Sequence, residues 1–223
     1  MRKTFLPLLL IATVFAPGCK RTEPPTSSTK TTPAAAITAT NAEEQVIAEV
    51  EKMDGEVKRD GNAPHGALVE ITFRWSACEG VRDELLEHVE GLNHLQVLNI
   101  PCSEVSDAGL KHLRGMTQLK SLSLYGDGDV TDAGLDDLKG LTQLQKLKLG
   151  YTQITDAGLP KLAGLTELQS LDLSSTRVTD AGLTHLTGLT QLHSLDLSFT
   201  HVTDQGIRHL QKALPKCEIK ADH

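Results

Sequence analysis

The sequence predicts an α/β solenoid, in which stacked repeats place parallel strands on a curved concave face and helices on the convex one. Three observations predict it. From residue 92 onward the chain repeats itself every 24 or 25 residues, which is the mark of a repeat architecture. Leucine is confined: of 35 leucines, four lie in the first ten residues and 31 lie from Leu68 onward. Within each repeat the apolar spacing switches from two to three or four, as a strand followed by a helix requires.

The elements follow in order. Arg2 and Lys3 precede an apolar run of 11 residues, Phe5 to Phe15, broken only by Pro7 and Thr13. A bilayer core of roughly 30 Å needs about 20 residues to cross, so the run reads as a secretory signal over residues 1–18. It ends in Ala16-Pro17-Gly18-Cys19, which resembles the lipobox of bacterial lipoproteins. Ala16 and Pro17 stand where that pattern prefers leucine and a small residue. The resemblance implies lipidation of Cys19, and export with ordinary cleavage or a retained anchor are the alternatives. Two or more acyl chains hold a soluble domain on a membrane where one does not.

Residues 19–40 then form a tether. Rich in Thr, Pro, Ser and Ala, the segment has too little apolar surface to offset its ordering entropy and should be disordered. Within an N-terminal cap segment, 41–65, residues 42–53 read as a short helix with Asn41 as N-cap, Val46, Ile47 and Val50 on one side, and Gly55 at its end.

Residues 141–164, 165–188 and 189–212 nearly coincide when aligned, and 92–115 and 116–140 share the pattern, the latter with one extra residue near Asp127-Gly128-Asp129. These five repeats fill residues 92–213. In the third of the five, Leu144, Leu147 and Leu149 point inward while Lys146 and Lys148 alternate outward. Thr155 caps the following helix, Asp156 favours its positive end, Leu159 and Leu162 share a face, and Gly164 closes the turn. One unit cannot bury its leucines alone, whereas stacked units form a continuous core.

Both ends are irregular. Over residues 66–91, Leu68, Ile71 and Phe73 repeat the strand spacing and Val81, Asp83, Leu86 and Val89 the helical one, with extra residues around Ser76–Gly80. Over residues 214–223, Leu214, Cys217 and Ile219 repeat the strand spacing once more.

The period and the Leu-x-x-Leu-x-Leu core resemble leucine-rich repeats, over roughly residues 66–219. The Thr-Asp-Ala-Gly-Leu block is similar to the variety found in bacterial envelope proteins, especially those of planctomycetes. The resemblance implies a leucine-rich-repeat solenoid that binds other proteins. Similar repeats also act as substrate receptors of eukaryotic ubiquitin ligases. That role needs an adaptor-binding helical domain, and residues 41–65 are too short for one.

Composition narrows the function further. A net charge of −7 and a pI near 5.7 exclude a general nucleic-acid binder, which carries a basic face. Aromatics at 3% exclude most ring-lined cofactor pockets. Asp107, Asp132, Asp156, Asp180 and Asp204 recur once per repeat, but a calcium site gathers about six to eight oxygens around one ion. Helix-end electrostatics accounts for them, and a polar turn accounts for Asp127 and Asp129. His88, His112, His185 and His209 lie five residues after the repeat aspartate, a position that Asp137 and Lys161 fill elsewhere; it reads as solvated convex surface rather than metal site. No nucleophile–base set, Gly-rich phosphate loop or His-Glu-x-x-His occurs. The expectation is no catalysis, cofactor or metal.

Cys217 takes an inward strand position. Cys78 and Cys102 lie just beyond the first two strands and, in an oxidising envelope, either pair as a disulfide or stay free. Trp75, Tyr151 and Phe199 each sit two residues after the last inward strand residue of their repeat, and Tyr125 sits one after. With Lys146 and Lys148 they are the candidate ligand-binding residues. The rings form either an interaction rim or covers for their own turns, Gly126 and Ser175 interrupting the row. The expected ligand is another protein; the alternative is an envelope polysaccharide or peptidoglycan stacked on Trp75, Tyr125 and Tyr151. Signal removal leaves 20 basic against 29 acidic side chains, which opposes lying flat on anionic lipid. The expectation is a membrane-anchored envelope lipoprotein that meets the membrane through its lipid alone, or a secreted or periplasmic soluble form.

Overall fold

The computed structural model describes residues 34–61, 66–77 and 80–222. The signal, Cys19 and most of the tether lie outside the described residues, as does Cys78. Helix α1 spans Ala34–Lys52. It begins inside the stretch expected to be tether, so residues 34–40 are helical. The Ala-rich start and the Ala-Glu-Glu-Gln run that follows are strong helix formers, which explains the early start. Val46, Ile47 and Val50 are buried, as their spacing predicts.

Among the described residues eight strands form one sheet in chain order, β1 to β8. They are β1 Glu56–Arg59, β2 Leu68–Thr72, β3 Val97–Asn99, β4 Ser121–Ser123, β5 Lys146–Lys148, β6 Ser170–Asp172, β7 Ser194–Asp196 and β8 Glu218–Lys220. Strands β2 to β8 are parallel and in strict register, with Ile71, Leu98, Leu122, Leu147, Leu171, Leu195 and Ile219 side by side. All but Ile219 are buried, each contributing roughly 2 kcal/mol of transfer free energy. β1 was not anticipated, because Glu-Val-Lys-Arg offers one apolar residue and no alternation. It pairs antiparallel with β2 and covers the edge that the first parallel strand would otherwise expose.

The opposite side is helical: α2 Asp83–Val89, α3 Asp107–Leu110, α4 Leu135–Leu138, α5 Asp180–Leu183 and α6 Asp204–Ala213, with a 3-10 turn at Leu159–Leu162 in the remaining repeat. The fold is a leucine-rich-repeat solenoid.

What locks repeat to repeat is the recurring Thr-Asp-Ala-Gly-Leu block, and the aspartate does more than favour its own helix end. Asp83 accepts from the backbone N–H and hydroxyl of Ser106, Asp107 from Thr131, Asp132 from Thr155, Asp156 from Thr179 and Asp180 from Thr203, at 2.6–2.8 Å. In the first four links the hydroxyl in turn accepts from the N–H two residues on. The glycine three positions after each hydroxyl leaves room for this: a Cβ on Gly182 would overlap Asp156 Oδ1 and Leu159.

The histidine position needs correcting. It is not uniformly solvated: Asp137 is buried and paired with Arg114, and Lys161 bridges to Asp136. His88 and His112 bond Glu49 and Glu90 at 2.6 Å. Four of the six residues at this position thus have a partner on a neighbouring element, whereas His185 and His209 are exposed.

Candidate interaction surface

The outer face of the sheet carries the strand positions on either side of the buried column. One row across β2 to β8 reads Thr72, Asn99, Ser123, Lys148, Asp172, Asp196, Lys220, and the row before it Glu70, Val97, Ser121, Lys146, Ser170, Ser194, Glu218. Lys146 and Lys148 are exposed. Asp172 accepts from the N–H and hydroxyl of Ser174, and Asp196 from the N–H of Ser198.

Just past the strands, every full repeat turns through a left-handed residue. Cys102, Tyr151, Ser175 and Phe199 have φ between 54° and 58°, and Gly126 has 87°. Each is pinned by a backbone bond to the next turn: Cys102 to Tyr125, Gly126 to Gly150, Tyr151 to Ser174, Ser175 to Ser198 and Phe199 to Asp222. This conformation suits glycine and costs a bulky side chain of order 1 kcal/mol. Two of the five positions nevertheless hold rings that stay in solvent, Tyr151 at 52% and Phe199 at 61% exposure.

Tyr125 sits one position earlier and lies across the neighbouring turn. A Cβ on Gly150 would overlap its ring and the hydroxyl of Ser174, so Gly150 is what lets the ring lie there. Tyr125 links Trp75 and Tyr151, with ring centroids 5.4 and 5.2 Å apart and planes tilted by 54° and 58°. Burial pushes the Tyr125 phenol above its ordinary value, and Tyr151 and Asp172 push it further the same way. Beneath these rings a shallow depression of about 500 Å³ is lined by Asn99, Pro101, Ser123, Lys148 and Asp172.

Of the residues singled out from the sequence, Trp75, Tyr125, Tyr151 and Lys148 therefore come together. Phe199 stands apart, separated from Tyr151 by Ser175. Among the described residues Cys102 has no disulfide partner, and burial and Asp127 push its thiol up; its pairing with Cys78 falls outside the described residues. Cys217 is buried and free, as its inward position predicts. Sequence reading missed the burial of Asp127, which is fully enclosed, bonded by the Ser103 hydroxyl at 2.9 Å and without a partner on Oδ2. Alignment was the available signal: Ser103, Asp127, Thr152, Thr176 and Thr200 occupy one column. Among the described residues no group of three or more His, Cys, Asp or Glu is placed to hold a metal ion.

The family model for the leucine-rich repeat matches residues 140–163, 165–186 and 188–210. These segments are leucine-rich repeats. Solved structures similar to the chain include internalin C2 of Listeria monocytogenes, at 19% identity and TM-score 0.45, over 60% of this chain and 64% of that one. Internalin F of the same organism matches at 23% identity and TM-score 0.35, over 61% and 56%. The plant peptide hormone receptor RGFR1, in complex with RGF2, matches at 13% identity and TM-score 0.43, over 61% and 22%. The match spans under two-thirds of each of these chains. No curated protein matches the chain.

Proposed function

We propose that the protein is a non-catalytic binding module that holds another protein against the outer face of its parallel sheet. The observation that carries this reading is the placing of Tyr151 and Phe199: exposed rings maintained at backbone positions that disfavour them. Large exposed aromatics at one rim are the residues that dominate protein interfaces. Crosslinking in native envelopes followed by protease treatment tests this. Capture that disappears with protease supports a protein partner; retention on protease-treated cell wall would favour the glycan.

The same proposal places the module at a bacterial envelope, anchored by lipid on Cys19. The Ala16-Pro17-Gly18-Cys19 sequence after an apolar run supports it. Cys19→Ser should shift the protein from the membrane fraction to the soluble one, and unchanged retention would remove the anchor from the proposal.

A further inference from the structure

Charge on the sheet's outer face is unevenly satisfied. Glu70 pairs with Lys58, and Lys220 pairs with Asp196 and Asp222. Asp172 is held by its own turn. At the centre, on β5, Lys146 and Lys148 project from the same face about 7 Å apart. Among the described residues neither has an ion-pair or side-chain hydrogen-bond partner. The remaining face charge, Glu218, is three strands away on β8. Asp172, in register beside Lys148 on β6, keeps its charge despite the Ser174 hydrogen bonds and offsets Lys148 in part, whereas Lys146 is flanked by Ser121 and Ser170. In a chain of net charge −7 the two lysines form a local cluster of positive charge. Lys148 also lines the depression beneath Trp75 and Tyr125.

We infer that the partner lays an extended, acidic segment across the strands, with carboxylates over Lys146 and Lys148 and apolar side chains over the rings on either side. This rests on the protein-binding reading above and adds the chemistry of the partner. The geometry sets its length. From β2, which leads into Trp75, to β7, which leads into Phe199, there are five strand spacings, about 24 Å, which an extended peptide of about seven or eight residues covers. Trp75 and Tyr125, after β2 and β4, then contact one end and Phe199, after β7, the other, with the lysines of β5 and Tyr151 that follows them between.

The test uses the full chain and capped peptides of about eight residues, with two central glutamates flanked by phenylalanines. Counterparts carry glutamine or lysine at the centre, and fluorescence anisotropy reads binding. The glutamate peptide should bind at least about tenfold tighter than the glutamine one, the size of effect that two charge-assisted contacts supply. The preference should shrink in about 1 M salt, where the Debye length falls to about 3 Å, and vanish in Lys146→Gln/Lys148→Gln. Both lysines are exposed, so an unchanged melting temperature serves as the folding control. Equal binding of all three peptides, lost in Tyr151→Gly, would overturn the acidic partner and leave the aromatic surface standing. Failure of every peptide to bind would overturn both.

Discussion

Asp156 reaches out of its own repeat to hold Thr179 in the next, accepting the backbone N–H at 2.8 Å and the hydroxyl at 2.6 Å. The same hydroxyl accepts from Ala181 at 3.2 Å, so one carboxylate orders the start of α5. Five such links run through the stack, and they give the Thr-Asp-Ala-Gly-Leu block a joint role. Threonine caps, aspartate couples, and glycine makes room for the preceding aspartate.

Asp156→Ala should therefore cost about 1–3 kcal/mol, the range for losing hydrogen bonds to a charged acceptor. Gly182→Ala should also destabilise. An alanine in a helix is otherwise worth roughly 0.5–1 kcal/mol over glycine, but here its Cβ overlaps Asp156 Oδ1. The double variant should cost less than the sum, since removing the carboxylate relieves part of the overlap. Urea denaturation of the four proteins checks this, and strict additivity would contradict the coupling.

Leu171 pairs laterally with Leu147 and Leu195 in the buried column and is 1% exposed. Leu171→Asp places an unpaired carboxylate there and should cost more than about 4 kcal/mol. Because each repeat is stabilised by its neighbours, hydrogen exchange should rise across β5, β6 and β7 together. A change confined to residues 165–188 would mean the repeats fold independently.

How far the sequence reveals this molecule depends on which interactions are local. Period-two spacing in Leu147 and Leu149, and the recurrence of the block, express contacts repeated identically in every unit, so the solenoid is legible. β1 is not, because Val57 is its one apolar residue and its pairing depends on the exposed edge of β2. The destination of Asp156 is invisible within one repeat, since its partner lies 23 residues on. Of the surface, the rings Trp75, Tyr125 and Tyr151 were identifiable from spacing. Their contact required knowing that Gly150 leaves the Tyr125 ring room, and the left-handed turn at Tyr151 leaves no mark in a residue type that normally avoids it.

That turn separates a binding role from a packing role. Tyr151→Gly and Phe199→Gly place the preferred residue type at φ near 58° and remove side chains more than half exposed. Relief of the left-handed strain should offset the little packing that such exposed rings provide, leaving stability unchanged or raised by up to about 1 kcal/mol, while partner capture falls. Thermal denaturation alongside the binding measurement checks both. A drop of several kcal/mol would show that the rings hold the turns.

Asp127 supplies the pH dependence. It stands in a column otherwise made of Ser103, Thr152, Thr176 and Thr200, and the three threonines donate their hydroxyls to the carbonyls of Leu149, Leu173 and Leu197. An ionised carboxylate has no proton to donate. Burial raises its pKa from 3.8 to about 7, against the opposing pull of the Ser103 hydrogen bonds. In the unfolded chain the group ionises near its ordinary value, so between about pH 4 and pH 7 the folded state binds the extra proton and stability falls as pH rises. At about 1.4 kcal/mol for each tenfold change in proton affinity, the fall across that range is on the order of a few kcal/mol. Below about pH 4 the contribution is fully present, and above about pH 7 it is lost. Asp127→Asn stays neutral throughout and should flatten this slope, so that the variant gains stability relative to the parent between about pH 5 and pH 8. Urea titrations at the two pH values measure the difference, and parallel pH profiles for parent and variant would show that Asp127 is not protonated in the folded state.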